Sequence, residues 1–432
     1  MPNFQLHRRR VSKLKKFLAI ILGAIFVLSF AATAFAIHAE IPSETQAVVA
    51  RSTTQITLDG ELRVRGWYEK NLSAAQGGIP AASKSGAWYD ERVRLSVDAK
   101  VSPNIEGYVQ LESQAGTNDN ITWGNFNSKV GGMDILQAWI LYTGQGLFGF
   151  PAGLKIGHMP LALGEKQFFD HTKFGDDAIV FFMDPMKELH VGLLTVKFAE
   201  GAKMDNNDDL DGYVGLMVYK LDPKNTIGIN YTYLNQSNGR FSHQDLGLHA
   251  NGNVAGLGYK GELDVQFGKA GDVKFKGWAL LAGLSYAVDP VNIRGTFGYG
   301  SGDDGTDAND NKEFTTYLGN DQHYTLVYEY RAQSAAGAVN TGLANTTYYN
   351  LGLDFAPTKD VKASVDGYIL RASKSAAGQS KTLGWEADAK VVYSVAKNLS
   401  YQVDAGYFKS GEFYGPDKKG ATVLRHAITL SF

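Results

Sequence analysis

The chain contains no cysteine, which excludes disulfide bonds, thiolate metal sites, haem attachment through C-x-x-C-H and cysteine nucleophiles. Proline is also scarce, with 11 residues, whereas there are 49 glycines, 22 tyrosines and 23 phenylalanines. Hydrophobic residues make up only 44% of the sequence, a fraction that suits long membrane helices poorly. This composition favours many strands joined by turns, with aromatic side chains available for interfaces.

No break in composition divides the 432 residues, so one large β domain is a simpler interpretation than two or three soluble domains. Near the N-terminus, six basic residues precede an apolar run from Phe17 to Phe30 and the small-x-small site that ends at Ala36. This order predicts a secretory signal peptide over residues 1–36, with cleavage after Ala36 or Ala39. A retained inner-membrane anchor is the alternative.

Removal of this signal leaves 36 basic residues against 44 acidic ones, a formal charge of −8. Such a balance gives no indication of a nucleic-acid partner. Residues 37–54 are a polar lead, which we expect to lie in the periplasm. The remainder, residues 55–432, forms the predicted β domain.

Strand-like alternation begins at Gln55 and continues to Lys70, where apolar residues such as Leu58 and Leu62 alternate with charged residues such as Glu61 and Arg63. The same period of two recurs in the hairpin that follows, around a Ser-Pro-Asn turn at residues 102–104. In a soluble protein the apolar row would face a core. In a membrane barrel it faces lipid, and the charged row lines the lumen.

The last strand, residues 421–432, ends the chain on an aromatic residue. Ile428, Leu430 and Phe432 fall on its apolar face, whereas Arg425 and Thr429 fall on the other face. A terminal strand cannot leave a bare edge in lipid, so it is expected to pair with the first strand and close a barrel. The same three apolar residues resemble the assembly signal that the outer-membrane insertion machinery recognises.

Connections of two lengths alternate along the sequence. Short turns are expected at residues 102–104, 184–188, 222–225, 251–253, 289–291, 357–360 and 396–398, with a longer Gly-rich turn at residues 144–153 on the same side. Longer polar stretches are expected at residues 71–87, 116–132, 160–175, 200–209, 236–242, 269–272, 301–345, 374–381 and 410–420. Sorting by length is typical of an up-and-down outer-membrane barrel, and a Greek-key sandwich would not show it. The count predicts about 18 antiparallel strands with both termini in the periplasm.

Two further expectations concern the loops and the aromatic residues. The segment from Tyr324 to Tyr330 alternates like a strand, but we interpret it as a hairpin inside the longest loop. Five aromatic pairs at predicted strand ends suggest rings in the headgroup layers. They are Trp67 with Tyr68, Trp88 with Tyr89, Tyr231 with Tyr233, Tyr348 with Tyr349, and Tyr407 with Phe408.

The motif search gives little sign of catalysis or of a cofactor. Residues 300–305 match G-x-G-x-x-G, but Asp and Asn residues follow where a dinucleotide site needs a helix. The sequence has neither H-E-x-x-H nor G-x-S-x-G, so we predict no enzyme, metal site or cofactor. His158, Asp170 and His171 are the conceivable partners of a hydrolase at the rim. The acidic runs at residues 205–211 and 303–311 leave Ca²⁺ binding in solvated loops open.

Several segments resemble the alginate-export family of outer-membrane barrels. They are Arg63 and Arg65, residues 155–158 (KIGH), residues 163–165 (LGE) and, above all, residues 297–303 (FGYGSGD). The resemblance extends from about residue 57 to residue 432 and implies a monomeric barrel of 18 strands, either an exporter of an anionic polysaccharide or a porin-like channel. Where the family tends to have Gly-Arg-Gln, this chain has Gly157-His158-Met159, and this argues against specific export of a polyanion.

An aqueous lumen lined by acids and bases is therefore the predicted functional site. The expected lining residues are Asp59, Glu61, Arg63, Arg65, Arg92, Arg94, Asp98, Lys100, Glu106 and Glu112. Two loops, residues 160–175 and 301–345, are expected to fold inward and set the narrowest diameter.

Three functions remain open at this point. The leading hypothesis is passive diffusion of small hydrophilic solutes or ions across the bacterial outer membrane. Export of an anionic polysaccharide is the second hypothesis. The third is a barrel sheath for a partner protein such as a multihaem cytochrome.

Overall fold

The computed structural model describes residues 54–72, 85–113, 121–124, 132–146, 149–202, 208–319, 321–333, 342–415 and 419–432. The predicted signal peptide and nearly all of the polar lead lie outside these residues. Eighteen long strands dominate the described part of the chain, and we number them β1 to β18.

These strands are β1 (Gln55–Lys70), β2 (Ser85–Ser102), β3 (Ile105–Ser113), β4 (Met133–Gln145), β5 (Pro151–Met159), β6 (Asp176–Met186), β7 (Leu189–Ala199), β8 (Leu210–Asp222), β9 (Asn225–Gln236), β10 (Phe241–Val254), β11 (Leu257–Ala270), β12 (Trp278–Val288), β13 (Val291–Gly300), β14 (Thr346–Thr358), β15 (Val361–Ala372), β16 (Thr382–Ala396), β17 (Leu399–Ser410) and β18 (Gly420–Ser431). Two short helices accompany them: a π-helix at Leu326–Gln333 and a 3₁₀ helix at Glu412–Tyr414. Two- and three-residue strands lie in the loops at Ile121–Thr122, Phe169–Asp170, Val273–Phe275, Asp310–Asn311 and Tyr317–Leu318.

Every long strand pairs antiparallel with its neighbours in sequence, and β18 pairs antiparallel with β1. At this seam Gly60 donates its N–H to the carbonyl of Phe432 at 2.7 Å and accepts the N–H of Phe432 at 3.0 Å. The Phe432 ring lies over Gly60, at 2.3 Å from the position that a Cβ would take there. The predicted closed barrel of 18 strands is therefore confirmed, and the ring of the last residue covers its seam.

One face of each strand is apolar and points away from the barrel axis. Leu58, Leu62, Ile140, Leu351 and Ile369 are among its many exposed large residues. The opposite face carries the buried polar residues. This two-sidedness follows from the period of two in the sequence, and it provides an apolar exterior for lipid around a polar interior.

The connections alternate between short turns and long loops, as the sequence predicts. One short turn is misplaced in that prediction: β10 continues through Asn251 and Asn253, and the chain turns at Ala255 and Gly256. Asn253, which precedes this turn, stabilises it because its side-chain Oδ1 accepts the N–H of Gly256 at 3.0 Å. A turn signal therefore lies just before the turn that it stabilises.

The pairs of adjacent aromatic residues are divided between the two faces instead of sitting together in the headgroup layer. Tyr68 and Tyr349 are exposed, whereas their neighbours Trp67 and Tyr348 are buried inside the barrel. Phe408 is likewise fully buried beside the exposed Tyr407. The prediction that both members of each pair form an outer belt was wrong for these three pairs, because consecutive strand residues point to opposite faces.

The interior contains a hydrophobic cluster formed where two inward loops meet the wall. Phe168 and Phe169 of the first loop, and Phe314 and Val327 of the second, are buried in it together with Phe408 of β17. The segment 324–330 is thus a loop segment and no membrane strand, as expected, but the hairpin prediction was wrong. Its residues 326–330 form the first part of the π-helix, and the N–H groups of Val327 and Tyr328 bond to a carboxylate of the wall and not to a neighbouring strand.

Candidate functional site: the charged inner wall and the inward loops

The inner wall of β1 to β3 consists of matched acids and bases. Arg65 donates from Nε and Nη2 to the two carboxylate oxygens of Asp90, at 2.8 and 3.0 Å, and both side chains are buried. Arg92 donates from Nε to Glu61 at 2.8 Å. Arg94 forms an ion pair with Glu112. Because these ion pairs link neighbouring strands, they connect the strands of the wall in addition to placing charged groups on its inner surface.

The other predicted lining residues occupy the same faces of the same three strands. Arg63 lies opposite Arg92 in the β1–β2 register. Lys100 lies opposite Glu106 between β2 and β3. Asp98 and the exposed Asp59 complete the set, and one carboxylate oxygen of Asp98 is buried without a hydrogen-bond partner among the described residues.

Three guanidinium groups surround the indole ring of Trp67. Those of Arg65, Arg331 and Arg425 lie 4.9, 5.0 and 5.1 Å from the ring centroid. Such contacts are favourable because a cation is attracted to the negative face of an aromatic ring. Each of the three guanidinium groups also forms an ion pair with a carboxylate: Arg65 with Asp90, Arg331 with Glu69, and Arg425 with Asp404. Arg331 comes from the second loop, so this cluster fastens that loop to the seam between β1 and β18.

The first inner loop, residues 160–175, lies across the inner wall of β10 and β11. The N–H of Glu165 donates to Glu262 at 2.8 Å, and Asn251 Nδ2 donates to the Glu165 side chain at 2.8 Å. The buried Phe168 ring packs edge-on against His243, with centroids 6.0 Å apart. These contacts explain why the loop lies inside the barrel and not in the external medium.

The second inner loop, residues 301–345, is anchored by two carboxylates of β16. Val327 and Tyr328 donate their N–H groups to Glu386 at 2.6 and 2.8 Å, and Leu326 donates to Asp388 at 2.9 Å. Carboxylates that accept N–H groups at the start of a helical turn stabilise it strongly, because these N–H groups have no partner within the turn. The π-helix is therefore held against the wall at its first turn.

The two inner loops also contact each other. Phe169 and Asp170 pair in parallel with Tyr317 and Leu318. His323 Nδ1 lies 3.0 Å from Glu329, and its Nε2 lies 3.9 Å from Asp170. Burial opposes protonation of the imidazole, but the hydrogen bond and charge of Glu329 and the charge of Asp170 outweigh it and raise the pKa of His323. His323 of the second loop thus lies within ion-pair distance of Asp170 of the first loop.

The charged wall and the loops belong to a sequence that the family model described as alginate export matches over residues 55–425. This chain belongs to the alginate export family. No curated protein sequence matches it.

Solved structures with a similar fold are outer-membrane proteins of Pseudomonas aeruginosa. OccK5 (OpdH) is 12% identical, with 87% of this chain and 98% of that chain covered and a TM-score of 0.55. The outer membrane protein OpdK is 11% identical, with 87% and 99% covered and a TM-score of 0.57. A structure of OpdK with vanillate gives 10% identity, the same coverage and a TM-score of 0.56. At such low identity the likeness shows the barrel fold alone.

The apolar exterior, the closed ring of strands and the family membership together locate this alginate export family barrel in a bacterial outer membrane. Among the described residues, no helix has both the length and the apolar character needed to cross a bilayer.

The residues considered as hydrolase partners do not form one catalytic group. His158 hydrogen-bonds to Asp177 at 2.9 Å, and His171 to Asp176 at 2.8 Å. Asp170 instead accepts hydrogen bonds from Thr172. Within the described ranges, no three His, Cys, Asp or Glu side chains converge as a ready metal centre.

The residues that position the inner loops of this alginate export family member were not predicted from the sequence. Glu386 and Asp388 occupy inward positions of β16 between residues that point outward, as other residues of the inner wall do. Nothing in the local pattern therefore distinguishes them as anchors of a loop. Arg331 lies in a segment that resembles a strand. The available signal was that β11 and β16 each carry two acids at consecutive inward positions, Glu262 with Asp264 and Glu386 with Asp388.

Proposed function

We propose that this protein is an outer-membrane porin through which small hydrophilic solutes and ions diffuse passively. The observation that carries the proposal is the attachment of both inner loops to the wall and to each other, because a barrel of 18 strands is otherwise wide. Loops fixed in this way narrow the passage to a cross-section that suits small solutes. We propose that the protein acts as such a channel and not as an enzyme.

The ten predicted lining residues set the electrostatic character of the proposed passage. Because Arg65, Arg92 and Arg94 are each paired with a carboxylate, the β1–β3 wall presents dipolar pairs instead of a continuous positive track. Such a field orders water and polar solutes and slows apolar ones. We therefore expect only modest charge selectivity.

Export of an anionic polysaccharide is the second candidate, and family membership is the observation that favours it. A long polyanion needs an unobstructed path with unpaired positive charge, whereas Arg65, Arg92 and Arg94 of β1–β3 each have an acidic partner. Oligouronate added to one side of a planar bilayer distinguishes the candidates. An exporter would show long, voltage-dependent blockades, and a porin for small solutes would show none.

The third candidate, a sheath for a partner protein, needs a lumen that a folded partner can enter. The cluster formed by the inner loops occupies that space, which argues against a sheath. Haem that copurified with the barrel would favour it instead.

We also propose that Ile428, Leu430 and Phe432 act as the recognition signal for the outer-membrane assembly machinery. Ile428 and Phe432 are exposed on the lipid side of the last strand, where an assembly factor can contact them before the seam closes. Both termini of the barrel would then lie in the periplasm.

Recording from the purified protein in planar bilayers tests the porin proposal. The wild type should show an ohmic conductance without any added partner. Replacing residues 303–340 with a short Gly-Ser linker should raise the single-channel conductance several-fold, because the second inner loop would no longer narrow the lumen. Shortening residues 374–380, between β15 and β16, is the matched control and should leave the conductance close to the wild-type value.

Two results would overturn the proposal. One is the absence of conductance in the wild type when heat-modifiable migration shows a folded barrel. The other is an equal conductance in the wild type and the variant with the 303–340 replacement, since the loop would then not define the passage.

A further inference from the structure

A group of polar side chains on the inner wall of β9, β10 and β11 is almost completely buried. Asn230, Thr232, Asp245 and Asp264 are each at most 2% exposed. The register places them side by side: Asn230 lies opposite Gly247, Gly247 opposite Asp264, and Thr232 opposite Asp245. We call these four residues the β9–β11 polar group.

Most polar atoms of this group have no hydrogen-bond partner among the described residues. They are both amide atoms of Asn230, the hydroxyl of Thr232, one carboxylate oxygen of Asp245 and both carboxylate oxygens of Asp264. Leaving a buried polar atom unsatisfied costs about 1–3 kcal/mol, and more when the group is charged. Several such atoms next to one another indicate that something else satisfies them.

No basic side chain of the described residues forms an ion pair with Asp245, Asp264 or the adjacent Glu262. Gln266 donates to the second oxygen of Asp245 at 3.3 Å, and Glu262 accepts the N–H of Glu165. These two bonds leave the charges uncompensated. In contrast, the buried Asp90 and Glu112 of β1–β3 each have an arginine partner.

The side chains of Asn230 and Asp264 converge on a space that exists because residue 247 is glycine. A Cβ at Gly247 would lie 2.8 Å from Asn230 Oδ1, 2.6 Å from Asn230 Nδ2 and 2.9 Å from Asp264 Oδ1. The amide oxygen and the carboxylate oxygen are therefore aimed at the same small volume. Asp245 lies two residues before Gly247 on β10, and Thr232, which faces Asp245 in the register, lies two residues after Asn230 on β9.

From this arrangement we infer that the β9–β11 polar group binds a hard divalent cation, with Ca²⁺ as the best match. Asp264, Asp245, the Asn230 amide oxygen and the Thr232 hydroxyl would supply the oxygen ligands. Ca²⁺ accepts mixed carboxylate, amide and hydroxyl oxygens in irregular geometry, whereas Mg²⁺ requires a near-ideal octahedron. The donor set differs from a centre built only from His, Cys, Asp and Glu, of which the described residues contain none.

The bound cation would connect the wall to both inner loops. Glu262 holds the first loop through Glu165, and Gln266 holds the second through two hydrogen bonds to Thr315, at 2.7 and 2.8 Å. Neutralising the acids between these two contacts stabilises the wall to which the loops attach. Because the loops cover the site, we expect slow exchange of the ion.

Calcium binding to the full-length barrel in detergent, after removal of metals with a chelator, tests the inference. Isothermal titration with Ca²⁺ alone should give about one site per chain. Asp264→Asn should weaken binding by more than about 10-fold, because it removes one of the two charged ligands. Gly247→Ala should weaken it similarly by filling the space between Asn230 and Asp264, without removing a ligand.

Two variants serve as matched controls. Asp307→Asn changes the exposed acidic loop, and Gly215→Ala adds a Cβ on β8 with no atom closer than 3.7 Å. Both should bind Ca²⁺ like the wild type. Heat-modifiable migration should first show that every variant is a closed barrel. If Asp264→Asn fails to fold, Gly247→Ala carries the test.

The inference is overturned if the wild type binds no more Ca²⁺ than Gly247→Ala. It is also overturned if Asp307→Asn abolishes binding that Gly247→Ala retains, since the ion would then lie in the exposed acidic run, residues 303–311, of the second inner loop. Binding that Gly247→Ala reduces and Asp307→Asn preserves supports it.

Discussion

The inner walls of β1–β3 and of β9–β11 bury carboxylates in different ways. On β1–β3 the two buried acidic residues, Asp90 and Glu112, each have an arginine partner on a neighbouring strand. On β9–β11 the described residues provide no such arginine for Asp245 or Asp264, and the first inner loop covers the wall. The same alternation of residues therefore produces either a wall whose buried negative charges are neutralised by its own arginines or a wall whose negative charges need an additional ligand. Four predictions, from the largest expected effect to the smallest, test this difference.

On the compensated wall, Arg65→Ala should lower the free energy of unfolding by about 3–5 kcal/mol, because it leaves Asp90 buried without its cation. The double variant Arg65→Met with Asp90→Leu should lose much less, since it removes both charges. Urea unfolding in lipid vesicles, followed by tryptophan fluorescence, measures both. Equal losses in the single and double variants would show that the pair is not electrostatically coupled.

At the anchor of the second inner loop, Glu386→Gln should weaken the contact with the π-helix by about 2 kcal/mol, because the N–H groups of Val327 and Tyr328 would then bond to a neutral group. Single-channel recording should show a larger and noisier conductance. Glu188→Gln, in the short turn between β6 and β7, is the control and should match the wild type. Unchanged noise in Glu386→Gln would mean that the loop is held by packing alone.

On the uncompensated wall, Asp245→Asn combined with Asp264→Asn should raise the free energy of unfolding by about 1 kcal/mol in the presence of a chelator, because two buried charges are removed. The sign is opposite to that expected for Arg65→Ala. Added Ca²⁺ should stabilise the wild type and leave the double variant unchanged. Loss of stability in the chelated double variant would show that the two walls do not differ in this way.

The junction between the loops should respond to pH through His323. Its pKa is raised in the folded protein, so the ion pair with Glu329 and Asp170 is fully formed below the ordinary pKa of 6.5 and is lost as pH rises through the raised value. Loss of the ion pair should weaken the contact between the loops by less than about 1 kcal/mol. Conductance noise should therefore increase as pH rises across this range. His323→Gln should abolish the dependence, and a pH response retained in this variant would assign it elsewhere.

Much of the barrel is predictable because a period of two depends on the local sequence. Gln55 to Lys70, the seam strand and the long loops follow from alternation and turn residues alone. The turn at Ala255 was misplaced because Ala at positive φ gives no sequence signal, while the nearby Asn residues give a strong one.

The candidate site was less accessible to prediction. The ten lining residues were identified by face, and whether they line a conducting passage remains a prediction. Their partners depend on register across strands: Glu61 pairs with Arg92 on the next strand, not with a residue near it in sequence. The roles of Glu386 and Arg331 depend on where a loop of more than forty residues returns to the wall, which no local pattern encodes.

By itself, the sequence determined that this protein alternates between apolar and polar residues, joins its strands through turns and loops of two lengths, and ends in a strand able to close a ring. Alternation decides these features because each residue's face depends only on its position along the strand. Only the tertiary structure decided which buried acids meet an arginine, which face one another unpaired, and where the inner loops attach. Those outcomes depend on distances between residues far apart in sequence, and burial makes each one energetically significant.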